Sequence, residues 1–332
     1  MVSRLLKQTA RVIVTCGLAV SNAMAQDKVV IGHFGNPTPM QLAAANREFA
    51  AATGWEIEWR EFASAAEVIA AMAAGDVHIA ELGSVPFTIA ASRGAGLQLF
   101  MIAQIIGDAE SLIVRDGVGI DTIEALEGKR LAVPFGSTAH FSLMGTLYTA
   151  GLTERDVILV DLSPDRIETA WRDETIDAAF VWQPVQSRLL ATGRVLVSAG
   201  RSAEWGYLTF DGWVVDSAFA ARNTAKLAAF VKVMDDANSA YLEDPGAWTA
   251  DSAPVRAIAE KTGIAPDRIP EVLQGYTFLP VAKQTGPAWF GGSIKRVITY
   301  TTGFLTAAGI IEGVGADYEK YVNTELTQAA ME

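Results

Sequence analysis

Apolar residues recur along this chain with two alternating periods. At 28–31 (Lys-Val-Val-Ile) and 55–59 (Trp-Glu-Ile-Glu-Trp) they mark strands, and at 40–52 and 65–74 an alanine-rich spacing marks helices, the first stopped by Gly54. A short strand at 77–80 leads to a helix at 86–92 with Pro86 in its first turn, where a missing N–H costs nothing. Residues 97–105 are almost continuously apolar, as in a strand covered on both faces. A second series follows, with strands at 130–133, 157–160 and 178–181. Helices at 139–149 (closed by Gly151), 163–172 and after Pro184 separate them. Helices alternating with apolar strands predict an α/β fold with largely parallel sheets.

The two series resemble each other. Residues 75–82 and 175–182 each run from a polar turn with an Asp through a short buried strand to a helix carrying Pro86 or Pro184. Two similar lobes are expected. From about Ala220 the chain is mostly helical, most clearly at 227–241, 255–261 and 289–308. Strand-like pieces at 111–114 and 212–215 bracket the second series. Read as paired crossovers, they make the second lobe an insertion, with 26–109 plus 213–332 as one lobe and 110–212 as the other.

The first 25 residues change the setting. Arg4, Lys7 and Arg11 precede a short apolar run at 12–20, and Ala23-Met24-Ala25 gives the small–x–small pattern of a signal-peptidase site. The run is too short to span a bilayer, which takes roughly 20 apolar residues. It predicts a cleaved leader, a mature start near Gln26 and export to a periplasm. A lipoprotein reading through Cys16 competes with it, although Thr15 stands where a small residue is expected. Cys16 is the only cysteine, so the mature chain must be held by an ordinary core. Its 307-odd residues suit one large or two medium domains. The formal net charge of −12 becomes more negative once the basic leader is lost, which argues against nucleic acid as a partner.

Enzymatic motifs are scarce. Gly128-Lys129-Arg130 lacks the spacing of a phosphate loop, no Gly-x-Ser-x-Gly elbow occurs, and His33, His78 and His140 are too dispersed for a zinc site. Neither a cofactor nor a metal is expected. Binding features are richer. Ser64, Gly83-Ser84 and Gly136-Ser137-Thr138 each fall where a strand gives way to a helix. Free N–H groups and the helix dipole can hold an oxyanion there without lysine or arginine. Each alone also reads as a plain N-cap. Phe34, Trp182 and Trp205 are aromatics near the same edges. Asp211, in Thr-Phe-Asp-Gly-Trp at one crossover, and Glu110, at the other, have apolar neighbours and call for a cation from a ligand.

These residues carry a resemblance to the periplasmic substrate-binding proteins of sulfonate-type ABC transporters, most of all to taurine binders. It rests on Ser-Ala-Ala-Glu-Val at 64–68, Gly-Asp-Val-His-Ile-Ala-Glu-Leu-Gly-Ser-Val-Pro at 75–86 and Gly-Lys-Arg-Leu-Ala-Val-Pro-Phe at 128–135. It continues in Ser-Thr-Ala-His-Phe-Ser-Leu at 137–143, Ile-Asp-Ala-Ala-Phe-Val-Trp-Gln-Pro at 176–184 and Asp-Gly-Trp-Val-Val at 211–215. The resemblance implies a two-lobed (type II, Venus-flytrap) α/β fold, each lobe a mixed, mostly parallel sheet flanked by helices. It implies a monomer that does no chemistry, closes on taurine and delivers it to a permease with its ATPase. Ser84, Ser137, Thr138, Ala139 and His140 would then hold the sulfonate, Trp182 would cover the ethylene carbons, and Asp211, with Glu110, would receive the ammonium. The sequence departs from the taurine-binder pattern at 33–39, at Ala63 and Ala65, and at Val85. Another alkanesulfonate or small oxyanion therefore stays open as the ligand. A pyrimidine-precursor enzyme on the same fold and a tethered sensor domain are the readings from other classes.

Overall fold

Eleven strands pair into two sheets in the computed structural model, which describes residues 27–312 and 318–332. The leader read over 1–25, with Cys16, lies outside the described residues. The first sheet contains β1 (Lys28–His33), β2 (Glu56–Glu61), β3 (Ile79–Gly83), β4 (Leu97–Ile106), β10 (Phe210–Asp216) and β11 (Tyr276–Thr277), in the order β11-β4-β10-β3-β1-β2. The second contains β5 (Glu110–Arg115), β6 (Arg130–Val133), β7 (Ile158–Asp161), β8 (Ala178–Trp182) and β9 (Gly193–Ser198), in the order β7-β6-β8-β5-β9. Both sheets are mixed. Parallel pairing is confined to β2-β1-β3 and β7-β6-β8; β10, β11, β5 and β9 run antiparallel to their neighbours. The crossover pieces are thus antiparallel strands inserted between parallel ones, a pairing that no local periodicity encodes.

The helix expected over 40–52 is two helices, α1 (Pro39–Ala45) and α2 (Glu48–Thr53). Arg47 breaks them, with φ at 60° in the left-handed region. The next three are α3 (Ala65–Ala74), α4 (Ser84–Ser92) and α5 (Thr138–Thr149). Ser64 caps α3 by accepting from Glu67 N–H at 3.3 Å, while the Glu67 carboxylate reaches past the N-cap to accept from Ala63 N–H at 3.3 Å. The tail is helical as expected, with its longest pieces at Thr224–Glu243, Ala253–Thr262 and Ser293–Ala307.

Period-2 alternation builds the core of the first sheet. Val29, Ile31, Ile79, Trp213 and Val215 face α1, α2 and the helix Thr224–Glu243, whereas Val30, Ala80, Leu82 and Val214 face α3, α4 and the helix Ser293–Ala307. Both faces are covered, which accounts for the nearly continuous apolar run of β4, interrupted at Gln98 and Gln104.

The chain passes between the sheets at 107–109 and at 199–209. These passages lie side by side: Ile106 N–H donates to Thr209 C=O at 3.1 Å, and Gly275 C=O accepts from Gly107 N–H at 3.0 Å and from Ala109 N–H at 3.3 Å.

Candidate functional site

A cavity of about 550 Å³ opens between the carboxyl edges of the two sheets. Its wall takes Ser64, Ala65 and Ala66 from the start of α3, Gly83 and Pro86 from the start of α4, and Gly136, Ser137, Thr138 and His140 from the start of α5. Three helices thus point their N-termini at one space, and each brings leftover N–H groups and a partial positive charge.

The start of α5 is the most developed of the three. Ser137 Oγ accepts from His140 N–H at 3.1 Å and donates to Pro134 C=O at 2.6 Å, so its hydroxyl is spent on the turn. The N–H group of Thr138, which lines the cavity, comes before the first intrahelical bond and remains for a ligand. The His140 ring is stacked on Phe135 at 4.7 Å, and its Nδ1 accepts from Gly136 N–H at 3.3 Å. Burial lowers its pKa to about 4, with Asp161 pulling the other way. A neutral ring whose Nδ1 accepts must carry its proton on Nε2, which makes it one more donor for an anion.

The part of the cavity beside the start of α5 is acidic. Glu110 and Asp211 line it, and Glu81 lies just behind; all three are buried, whereas no lysine or arginine among the described residues is. Gln104 Nε2 donates to Glu81 Oε1 at 2.8 Å and to Asp211 Oδ2 at 2.9 Å, and Asn36 Nδ2 donates to Glu81 Oε1 at 3.2 Å. Two oxygens on one nitrogen lie under about 6 Å apart, where like charges repel by about 3 kcal/mol at an effective dielectric near 20. Thr138 Oγ1 donates to Glu110 Oε2 at 2.8 Å. Glu81 Oε2 and Glu110 Oε1 are buried without a partner. Burial pushes Glu110 up to about 8, against the Thr138 hydrogen bond. Burial also raises Glu81, and it raises Asp211 well above the ordinary range, helped by the charges of Glu81 and Glu110. Buried acids with unfilled acceptors are costly unless a cation arrives.

Of the residues expected from sequence, Ser64, Glu110, Ser137, Thr138, His140, Trp182 and Asp211 come together on this wall, with Phe34. Ser84 and Ala139 do not line it. The Ser84 hydroxyl accepts from Phe210 N–H at 3.3 Å, and the Ala139 side chain is turned into the core of the second sheet. Trp205 is also away from it, packed on the second sheet with the Arg201 guanidinium 5.2 Å from its ring centroid. Sequence reasoning missed Glu81, Gln104 and Tyr276. The signal for Glu81 was a lone carboxylate inside the buried run of β3. Tyr276, which also lines the cavity, has none, because only the pairing of β11 with β4 brings it there. Among the described residues, no group of His, Cys, Asp and Glu side chains is placed to hold a metal ion.

The NMT1/THI5 like family matches residues 36–248. Over 300 residues, 90% of this chain and 92% of the relative, the sequence is 34% identical to the taurine-binding periplasmic protein of Escherichia coli K12. The fold is shared with the alkanesulfonate-binding protein SsuA of Xanthomonas axonopodis pv. citri, solved with bound MOPS. There the TM-score is 0.70 at 20% identity, over 85% of this chain and 93% of that one. It is shared as well with DSZB, a desulfurization enzyme solved in complex with biphenyl-2-sulfinic acid, at a TM-score of 0.66 and 17% identity, over 92% of this chain and 99% of that one. At those identities the likeness is one of fold alone. The chain belongs to the NMT1/THI5-like family, as a relative of its periplasmic taurine- and sulfonate-binding members.

Proposed function

We propose that this protein captures taurine, 2-aminoethanesulfonate, in a periplasm and delivers it, as a monomer, to an ABC permease and its ATPase without chemical change. The observation that carries this reading is that one cavity sets helix N-termini and a neutral histidine beside buried acids that have no buried cation for a partner. A small zwitterion of opposite terminal charges answers both sets of groups at once, and a plain sulfonate answers one. In this reading the sulfonate takes the Thr138 N–H and the His140 Nε2–H. Trp182 covers the ethylene carbons, and Asp211 and Glu110 take the ammonium. The donors and acceptors come from both sheets. Two lobes, 26–109 plus the segment that returns through β10, and the insertion that begins at 110, would therefore close on the ligand.

Calorimetric titration with taurine and with ethanesulfonate tests the assignment. A charge-assisted contact is worth on the order of 1.5–3 kcal/mol, so taurine should bind at least about tenfold more tightly. Equal affinity would instead favour a general sulfonate binder. That second reading draws on the apolar wall that Ala66, Ile69 and Ala70 extend along α3, which has room for a longer alkyl chain.

A further inference from the structure

The cationic subsite holds more acid than one ligand can neutralise. Glu81 on β3, Asp211 on β10 and Glu110 on β5 are buried together, and a taurine ammonium brings one positive charge. Gln104 donates one amide nitrogen to Glu81 Oε1 and Asp211 Oδ2, so a neutral group stands between two acids where a lysine would be expected. Glu81 Oε2 is buried without a geometric hydrogen-bond partner, although the Phe34 backbone N–H also favours the carboxylate, and Glu81 itself does not line the cavity. It therefore cannot meet the ligand as Asp211 can.

We propose that the Glu81–Asp211 pair holds one proton in the empty protein, and that entry of the ligand's ammonium beside Asp211 expels this proton to solvent. The inference rests on the reading of the site as one for an aminosulfonate. Glu81 is then a positioning residue: through Gln104 it sets the charge that Asp211 presents. The proton leaves a carboxylic O–H, its bonding pair stays on the carboxylate, and a buffer base accepts it. One added ammonium charge thus meets one newly formed carboxylate charge, so the net charge of the acidic subsite is conserved, while the sulfonate's charge is met at the start of α5.

The surrounding groups agree. Glu110 faces the pair from β5 and is itself raised to about 8, so near neutral pH it is mostly neutral and leaves the pair to answer the ammonium; Tyr276 from β11 is raised by burial and by all three acids. Of the cationic groups at the cavity, Arg93 lines it from the exposed C-terminal end of α4, away from the buried pair at the start of that helix, His140 on α5 lines it and His33 on β1 flanks it. Burial lowers both histidines to about 4, so neither supplies a cation at neutral pH. Burial raises Glu81 and Asp211, the direction a shared proton requires.

The test is titration of taurine into the whole protein near neutral pH in Tris, imidazole and cacodylate, which carry no sulfonate to compete. The slope of binding heat against buffer ionisation heat counts the protons released. We expect about one proton per taurine, none for ethanesulfonate, and a slope near zero in Glu81→Gln. A zero slope in a protein that binds taurine, or an unchanged slope in Glu81→Gln, overturns the inference and leaves the taurine reading standing. If taurine fails to bind, that reading falls, and infrared spectra of the empty protein decide the proton separately. The spectra are taken in a Glu110→Gln background, because Glu110 carries its own proton near neutral pH. A protonated-carboxyl band there that Glu81→Gln removes supports the shared proton, and no such band in that background overturns it.

Discussion

Gly83 of β3 lies against Thr138 of α5, across the gap between the two sheets. A Cβ placed on Gly83 would be 2.9 Å from the Thr138 γ-methyl and 3.4 Å from Asp211 Oδ1. The first distance is below any real carbon contact, so glycine here lets the two walls meet. Gly83→Ala, whose backbone angles alanine tolerates, should force the walls apart. Overpacking of this kind costs about 1–3 kcal/mol, so taurine should bind roughly tenfold more weakly. Calorimetry checks the affinity, and small-angle scattering should show a smaller ligand-induced compaction than in the native protein.

Asp211→Asn keeps the shape of the side chain and removes its charge. Taurine affinity should fall by at least about tenfold, because the ammonium would be buried without a full countercharge. Ethanesulfonate should bind as well as before or better, since its methyl no longer faces a carboxylate. The expected result in paired titrations is a reversal of preference. A parallel loss for both ligands would make Asp211 a purely structural residue.

His140→Phe tests the anion-binding groups. It keeps the stack on Phe135 and deletes the Nε2 donor. Taurine and ethanesulfonate should weaken together, each by at least about tenfold and up to about 150-fold, the worth of a hydrogen bond to a charged group. Their ratio should hold. A loss confined to taurine would place the ring at the ammonium instead.

Glu110 predicts a pH dependence of stability. Its folded pKa, raised to about 8 from 4.5, means that the folded state binds this proton more tightly than the unfolded chain. The stabilisation is complete below about 4.5, is lost as pH rises through 8, and is constant above. By linkage the full loss is roughly 3–5 kcal/mol. Urea midpoints of the empty protein should fall between pH 5 and pH 9, and Glu110→Gln should flatten the difference. An equal fall in the variant would assign it elsewhere.

Local pattern made much of this legible. Ser137 and Thr138 could be read because a helix start is announced by its own residues, and Asp211 and Glu110 because a carboxylate among apolar neighbours stands out. Side-chain direction was not legible. Ser84 sits at a helix start as expected, but its hydroxyl turns to Phe210 N–H, a partner 126 residues away. Glu81 was in view as one letter of a short strand. Its meaning depends on β10 running antiparallel beside β3 and bringing Asp211 to the same face. Tyr276 needed a two-residue strand at the far edge of the sheet. Trp205 failed for the same reason in reverse: an aromatic in a loop says nothing about which wall it covers.

The side-by-side passages between the sheets have a mechanical consequence. Ile106 is bonded to Thr209, and Gly107 and Ala109 both to Gly275, so the joint is a narrow ribbon of laterally tied backbone rather than a single thread. Such a ribbon is compliant about the axis across its width and stiff against torsion and shear. In the closure proposed above, bending there would move the two sheets along one arc, so that the edges carrying Gly83 and Thr138 would return to the same register at each cycle.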